Sequence, residues 1–254
     1  MSNNVEKEDT ANLGFTKVAK SEKDLLVARY FDSVARQYDF MNTLLSFGIH
    51  YLWKHTSMKM LRLKPGEKVI DICGGTGDLS VMARKAVGKS GEVFLFDINR
   101  EMMLVGKYKS VNSEYRKQID HVQGNAEKLS FADNTFDAAM VGFGIRNLTN
   151  MKQGFIEMHR VLKPGGRMIC LEFSRPVSRM FRFLYDKYSF YIMPQIGRLF
   201  TGSQSAYTYL PESIRLFPMP DELSKILEDI GFIDVRYKRL TNGIAVVHAG
   251  RKKQ

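Results

Sequence analysis

The chain has 254 residues, 44% hydrophobic and 26% charged, ordinary proportions for a soluble globular fold. Its 38 basic residues outnumber 27 acidic ones, a formal charge of +11 that suits nucleic acid or an anionic membrane surface and selects neither. No apolar run reaches the ~18 residues of a membrane span, and the opening MSNNVEKEDTAN lacks the pattern of a signal peptide.

In chain order, residues 1 to about 14 read as a flexible polar tail. Residues 15–64 read as a helical cap, because apolar positions such as Leu26, Tyr30, Val34 and Tyr38 recur at intervals of four. Pro65-Gly66 breaks that pattern. From 65 onward strands and helices alternate: EKVIDIC, then DLSVMARKAV; EVFLFDI, then REMMLVGKYKSV; IDHVQGN; TFDAAMVGF, then NMKQGFIEMHRVL; GRMICLEFS. Such alternation builds a mostly parallel sheet with both faces covered, a Rossmann-like α/β fold. An aromatic-rich insertion spans about 175–216. A helix over MPDELSKILEDIGF follows, with Asp221 as its expected N-cap and Gly231 closing it. IDVRYKRLT and GIAVVHAGR, joined by Asn242-Gly243, read as an antiparallel hairpin. The whole is expected to be one domain, 1–254.

Two cysteines, Cys73 and Cys170, read as buried thiols of a reducing compartment, so the expected location is cytoplasmic. The five histidines form no i, i+4 pair beside a glutamate, and there is no Cys-x-x-Cys, so no metal is expected.

The segment VIDICGGTGDLS places a glycine cluster between a strand and a helix, where the backbone can approach a ligand. Asp78 after Gly77 rules out a P-loop, which needs lysine there. Two acids, Asp71 and Asp78, are poor company for a diphosphate and suit a cationic ligand with an ammonium and a sulfonium. The pattern Asp-x-x-Gly-Gly-Thr-Gly resembles the first motif of Rossmann-like methyltransferases, which implies S-adenosylmethionine. Gly75, Thr76 and Gly77 are then cofactor-binding residues. Asp97 ends the second strand twenty residues beyond Gly77, where a carboxylate accepts both ribose hydroxyls. By the same resemblance Asn125 and Ala126 border the adenine.

Segments outside the glycine loop are rarer. YDFMNTLLSFGIHYLW (Tyr38 to Trp53), RVLKPGGRMICLEFS (Arg160 to Ser174), FGIRNL and LTNGIAVVHAGRK resemble the UbiE/MenG/COQ5 family of quinol C-methyltransferases, from about Phe15 to Lys252. One departure is Gly142, where some members carry serine. The resemblance implies methylation of a ring carbon of a polyprenyl quinol: a demethylmenaquinol, a methoxy-polyprenyl benzoquinol, or both. Arg146, just past the fourth strand, is the first candidate to stabilise the ionised quinol, its plain alternative being a structural tie to a backbone carbonyl. Asn147 is a candidate partner for the second ring oxygen. Tyr38 and Asp39 are the second catalytic candidates, Asp39 as general base, against the alternative that they cap and pack helices. Trp53 and Phe47 read as core or as a wall for the ring. Met102 and Met103 read as adenine contacts or as helix packing.

MFRFLYDKYSFYIMPQIGRLF (Met180 to Phe200) holds seven aromatics in 21 residues, interrupted by Asp186, Lys187 and Pro194. It reads either as a peripheral membrane surface that receives a lipid tail, at the inner face of the membrane, or as a lid or homodimer contact. The remaining alternatives are another lipid or phenolic acceptor and a non-catalytic scaffold of a quinone-biosynthetic complex. The basic residues are dispersed, and no nucleic-acid partner is expected.

Overall fold

The computed structural model describes residues 9–254. Of the expected tail, residues 1–8 lie outside the described residues. The rest is ordered: β1 (Thr10–Leu13) and β2 (Thr16–Ala19) form a hairpin that turns at Gly14, φ +60°. Leu13 anchors it against Val27 and Tyr209, and the Phe15 N–H donates to Glu212 at 3.1 Å.

The cap is three helices, α1 (Lys20–Val34), α2 (Tyr38–Leu45) and α3 (His50–Leu61). Phe47 and Gly48 both take positive φ between the second and third, so the chain turns sharply there. Arg62 ends α3 in the left-handed conformation.

The core alternates as expected: β3 (Lys68–Ile72), α4 (Asp78–Val87), β4 (Glu92–Asp97), α5 (Arg100–Lys107), the short α6 (Ser113–Arg116), β5 (Asp120–Gln123), β6 (Phe136–Gly142), α7 (Met151–Val161) and β7 (Leu162–Phe173). The insertion folds as α8 (Arg179–Lys187), a wide turn through Ile192, α9 (Met193–Thr201) and α10 (Gln204–Leu216). The chain then forms α11 (Pro220–Ile230), β8 (Phe232–Leu240) and β9 (Ala245–Lys252). Asp221 is not the N-cap of α11. Met219 holds that position, its N–H donates to Glu222 at 2.8 Å, and the Asp221 carboxylate instead accepts from the Tyr237 hydroxyl at 2.7 Å.

The seven-stranded sheet has the order β5-β4-β3-β6-β7-β9-β8; β3 to β7 run parallel, and β9 pairs antiparallel with both β7 and β8. Strand alternation sorts the core into two layers. Val69, Ala138, Met140, Ile169 and Leu171 point to the side of α3 and α4, while Ile70, Ile72, Ala139, Val141 and Cys170 point to α7 and α11. Both cysteines are free thiols. The chain leaves β3 in one direction and returns to β6 in the other, so a crevice opens at the carboxyl ends of these two strands.

Leu223 of α11 is fully buried and is not among the residues that line the clefts at the carboxyl ends of the strands. Leu223→Ala should destabilise the fold by about 2–5 kcal/mol in urea unfolding while leaving ligand affinity unchanged.

Candidate active site

The glycine loop follows β3. Cys73, Gly75 and Gly77 all hold positive φ. A Cβ at Gly74 or Gly77 would come within 2.7 or 2.9 Å of the Leu95 side chain on β4, so both positions need glycine for close packing. The Gly75 N–H donates to Asp97 Oδ2 at 2.8 Å, and Asp97 Oδ1 accepts from the Asn99 N–H at 2.7 Å. The carboxylate therefore braces the loop from the end of the neighbouring strand, and each oxygen keeps a further lone pair for a ligand hydroxyl.

One cleft runs over this loop. Gly75, Thr76, Asp97, Asn125 and Ala126 line it, together with Met102 and the Gly142–Gly144 segment after β6. Gly77 does not line it; it stands behind as the left-handed residue that starts α4. Met103 turns away into the core. Asn125 Oδ1 accepts from the Glu127 N–H at 2.8 Å, and its Nδ2 donates to Asp24 at 3.3 Å, which fixes the amide. A Cβ at Gly142 would sit 2.6 Å from Leu79 Cδ1, so here leucine fills the space that a side chain after β6 would need.

The two acids of the motif behave differently. Asp78 is partly buried, which opposes ionisation, but Lys54 at 2.7 Å and the nearby Lys109 and Arg116 outweigh desolvation and hold its carboxyl down to about 2. It is already neutralised by the protein. Asp71 is 1% exposed, and burial pushes it up to about 7 against the pull of its bond from Ser80 at 2.6 Å. Its Oδ1 has no hydrogen-bond partner among the described residues, and it lines the cleft. Burial likewise raises Asp97 to about 6, opposed by the Asn99 and Gly75 amides. Two buried acids, one with an unused oxygen, fit a cationic nucleoside such as S-adenosylmethionine.

A second cavity of about 340 Å³ adjoins the first, at the lower end of the range for small-molecule sites. The insertion roofs it with Phe181, Tyr185, Tyr188 and Tyr207, and the cap and core wall it with Trp53, Phe143 and Phe173. Phe31, Tyr38, Asn42, Lys54 and Phe143 line both cavities and form their common wall.

The catalytic candidates separate. Tyr38 is on the common wall, and burial raises its phenol above the usual value, so it is a neutral hydrogen-bonding group. Arg146 borders the second cavity. It donates to Glu172 at 2.8 Å, to the Phe143 carbonyl and to Ser213 at 3.3 Å, leaving Nη2 without a partner among the described residues. The backbone tie is present, and so is access to the cavity. Asp39 borders neither cavity. Its carboxylate accepts from Thr76 Oγ1 at 2.7 Å and pairs with Lys109, so its place is that of a latch between α2 and the glycine loop rather than of a free base. Asn147 faces the first cavity, not the second, and accepts from the Tyr209 hydroxyl at 3.1 Å. His50 lines the second cavity, where burial holds it near 4 and so uncharged at neutral pH. Trp53 is both core and wall; its ring N–H donates to Thr241 at 2.8 Å. Sequence reading did not single out Lys54 or Glu172.

Because both acids are raised, the cleft gains negative charge as pH climbs through about 6 to 7. In the unfolded chain these groups ionise near pH 4, so the folded state has its full stability below that, and loses part of it as pH rises from about 4 through the folded values of about 6 and 7. A cationic ligand responds in the opposite sense. Calorimetric titration of S-adenosylmethionine between about pH 5.5 and 7.5 should show tightening, flattened in Asp71→Asn; affinity that is flat in the unmodified protein would contradict this charge assignment.

The chain matches the profile of the ubiE/COQ5 methyltransferase family over residues 16–252. It is 45% identical over 247 residues to the ubiquinone/menaquinone biosynthesis C-methyltransferase UbiE of Pectobacterium atrosepticum, covering 97% of this chain and 98% of the relative. The UbiE protein of Haemophilus ducreyi is 47% identical over 244 residues, covering 96% and 94%. Among solved structures, a SAM-dependent methyltransferase from Aquifex aeolicus superimposes with a TM-score of 0.57 at 21% identity, over 78% of this chain and 88% of that one, a likeness of fold. Glycine loop, bracing acid, paired cavities and near full-length similarity converge: the chain belongs to the ubiE/COQ5 methyltransferase family and is an S-adenosylmethionine-dependent C-methyltransferase.

Proposed function

We propose that the protein methylates a ring carbon of a polyprenylated quinol, a demethylmenaquinol, a methoxy-polyprenyl benzoquinol or both. The observation that carries this reading is the second cavity, which is aromatic-walled and touches the cofactor cleft along one wall. Curated relatives are named for ubiquinone and menaquinone biosynthesis, which supports the same acceptor.

Asp97, Gly75, Thr76, Asn125 and Ala126 would hold the nucleoside, and Asp71 its cationic end. When bound, S-adenosylmethionine supplies a methyl group whose S–CH₃ electron pair stays on sulfur as the acceptor carbon forms the new C–C bond and releases its proton. The protein's own work is to ionise the acceptor. A phenolic hydroxyl is mostly neutral at pH 7, and ionising it moves electron density to the neighbouring ring carbon. Arg146, through Nη2, and Tyr38 hydrogen-bond the acceptor's oxygens in this reading. The insertion roof excludes water, which strengthens each of these contacts.

Phe47 and Leu184 line the acceptor cavity and are 80% and 56% exposed, so they form its rim. Met180, Phe183 and Tyr191 extend the exposed apolar surface, and Lys187 lies over the Phe183 and Tyr191 rings. Among the described residues no helix is long and apolar enough to cross a membrane. In our reading the prenyl tail leaves over this rim and the rim rests on an anionic lipid surface.

Labelled methyl transfer to two reduced acceptors, a demethylmenaquinol and a demethylated methoxy-benzoquinol, tests the acceptor. Transfer to at least one is expected, with a loss of about 10²-fold or more in Arg146→Ala at retained cofactor affinity; transfer to neither, with cofactor bound, overturns the quinol reading. For the rim, co-sedimentation with anionic vesicles is expected to fall in Phe183→Asp/Leu184→Asp, and equal sedimentation of the two proteins would remove this face from the lipid contact.

A further inference from the structure

We propose that Lys54 is the catalytic cation that holds the acceptor oxygen beside the methylated carbon; this rests on the phenolic-acceptor reading above. Methyl transfer happens where the two cavities meet. The reacting carbon must lie at the common wall, and so must the hydroxyl adjacent to it. Arg146 borders the acceptor cavity and not the cofactor cleft, so it serves an oxygen farther in. Lys54 is the cationic side chain that lines both.

The chemistry of the side chain fits. Lys54 is 8% exposed, and an ammonium has three N–H donors. One goes to Asp78 Oδ2 at 2.7 Å; no other hydrogen bond of this ammonium is present among the described residues. Two donors are therefore left without a hydrogen-bond partner among the described residues, on an ammonium that also lies 5.9 Å from the Tyr51 ring centroid. Arg146 differs in charge as well, since the buried Glu172 at 2.8 Å already offsets it.

The surroundings leave positive charge over. Lys54, Lys109 and Arg116 face Asp39 and Asp78, three cations against two carboxylates. Asp71 and Asp97 lie on the cofactor side, where burial raises both; in the reading above Asp71 meets the cationic end of the cofactor and Asp97 its ribose. On the acceptor side His50 is uncharged and Tyr38 is a neutral phenol. An anionic oxygen at the wall balances the excess. Asp78, the first residue of α4, accepts from the ammonium, and its charge moderates repulsion of Lys54 from the sulfonium. The proton lost from the acceptor hydroxyl goes to water, and Lys54 remains protonated throughout.

The test compares the unmodified enzyme with Lys54→Met and Lys54→Arg. The rate of methyl transfer is read against pH, cofactor affinity is measured in parallel, and 4-nitrophenol is used as a chromophoric occupant of the acceptor cavity. Lys54→Met should lose about a hundredfold in kcat at pH 7 with cofactor affinity retained. Its rate should then climb about tenfold per pH unit where the unmodified enzyme has levelled off. Lys54→Arg should keep the levelled profile. Bound 4-nitrophenol should ionise at lower pH than free in the unmodified protein, and lose that shift in Lys54→Met. An unchanged pH profile and nitrophenol titration in Lys54→Met overturns the assignment. So does a pH-independent loss that follows lost cofactor binding, which would mark Lys54 as a structural partner of Asp78. If the unmodified enzyme methylates neither quinol, the acceptor reading fails separately, and the nitrophenol shift alone decides Lys54.

Discussion

Methyl transfer between two bound molecules needs van der Waals contact between their sites, and here the two cavities share a wall built from two separate stretches of the chain. Phe31, Tyr38, Asn42 and Lys54 come from the three cap helices; Phe143 comes from the turn after β6. Cap and core must keep their distance and angle for the wall to exist. The Thr76 hydroxyl and the Lys109 ammonium, both on Asp39, fix α2 to the glycine loop. Phe143 holds a positive φ, a costly conformation for a bulky residue, and its N–H is tied to the Leu171 carbonyl at 2.8 Å.

Around this wall the protein buries charge at a cost. Arg146 and Glu172 are nearly inaccessible, and taking both from water is only partly repaid by their attraction. Glu172 also accepts from the Phe173 N–H at 2.8 Å, and the Arg146 guanidinium lies 5.4 Å from the Phe173 ring centroid. Removing one partner would leave the other charged and unsatisfied. The arrangement makes sense as orientation: it fixes the guanidinium at the edge of a largely aromatic chamber. Asp71 and Asp97 pay a similar desolvation penalty on the other side, which a bound cation would relieve.

Much of this was legible in the sequence. Strand–helix alternation gave the sheet because its period changes from two to nearly four at each boundary, and glycine breaks mark the turns. That Gly75, Thr76 and Asp97 would meet at a strand end was legible from the glycine cluster and the spacing of the acid, whereas Asn125 and Ala126 were expected from the family resemblance alone; all five line one cleft. Other features were not. β1 depends on a long-range contact of Leu13 with Tyr209, which no local pattern carries. Asp221 resembled an N-cap, but Pro220 can begin a helix and moved the cap to Met219. Asp39 looked like a base because its Lys109 partner lies 70 positions away. Lys54 left no signal, since a single lysine in a helix ordinarily marks a solvated face. Glu172 was quoted within a strand motif, yet only the fold sets it beside Arg146.

The order of strands in the sheet has a consequence in time. β9 follows all other strands along the chain, yet it lies between β7 and β8 and is, among the described residues, the strand with which β8 pairs. A ribosome delivers β3 through β7 well before it delivers β9. Until then the outer edge of β7 stays unpaired, with Met168, Cys170 and their neighbours near water, an edge of the kind that recruits other chains. The nascent enzyme thus carries a sticky seam through about the last third of its synthesis, and the late hairpin seals it with an outer strand whose exposed positions include Arg236, Lys238 and Arg239. Mature and nascent forms of one sequence therefore present opposite faces to a crowded cell, the first charged and the second adhesive.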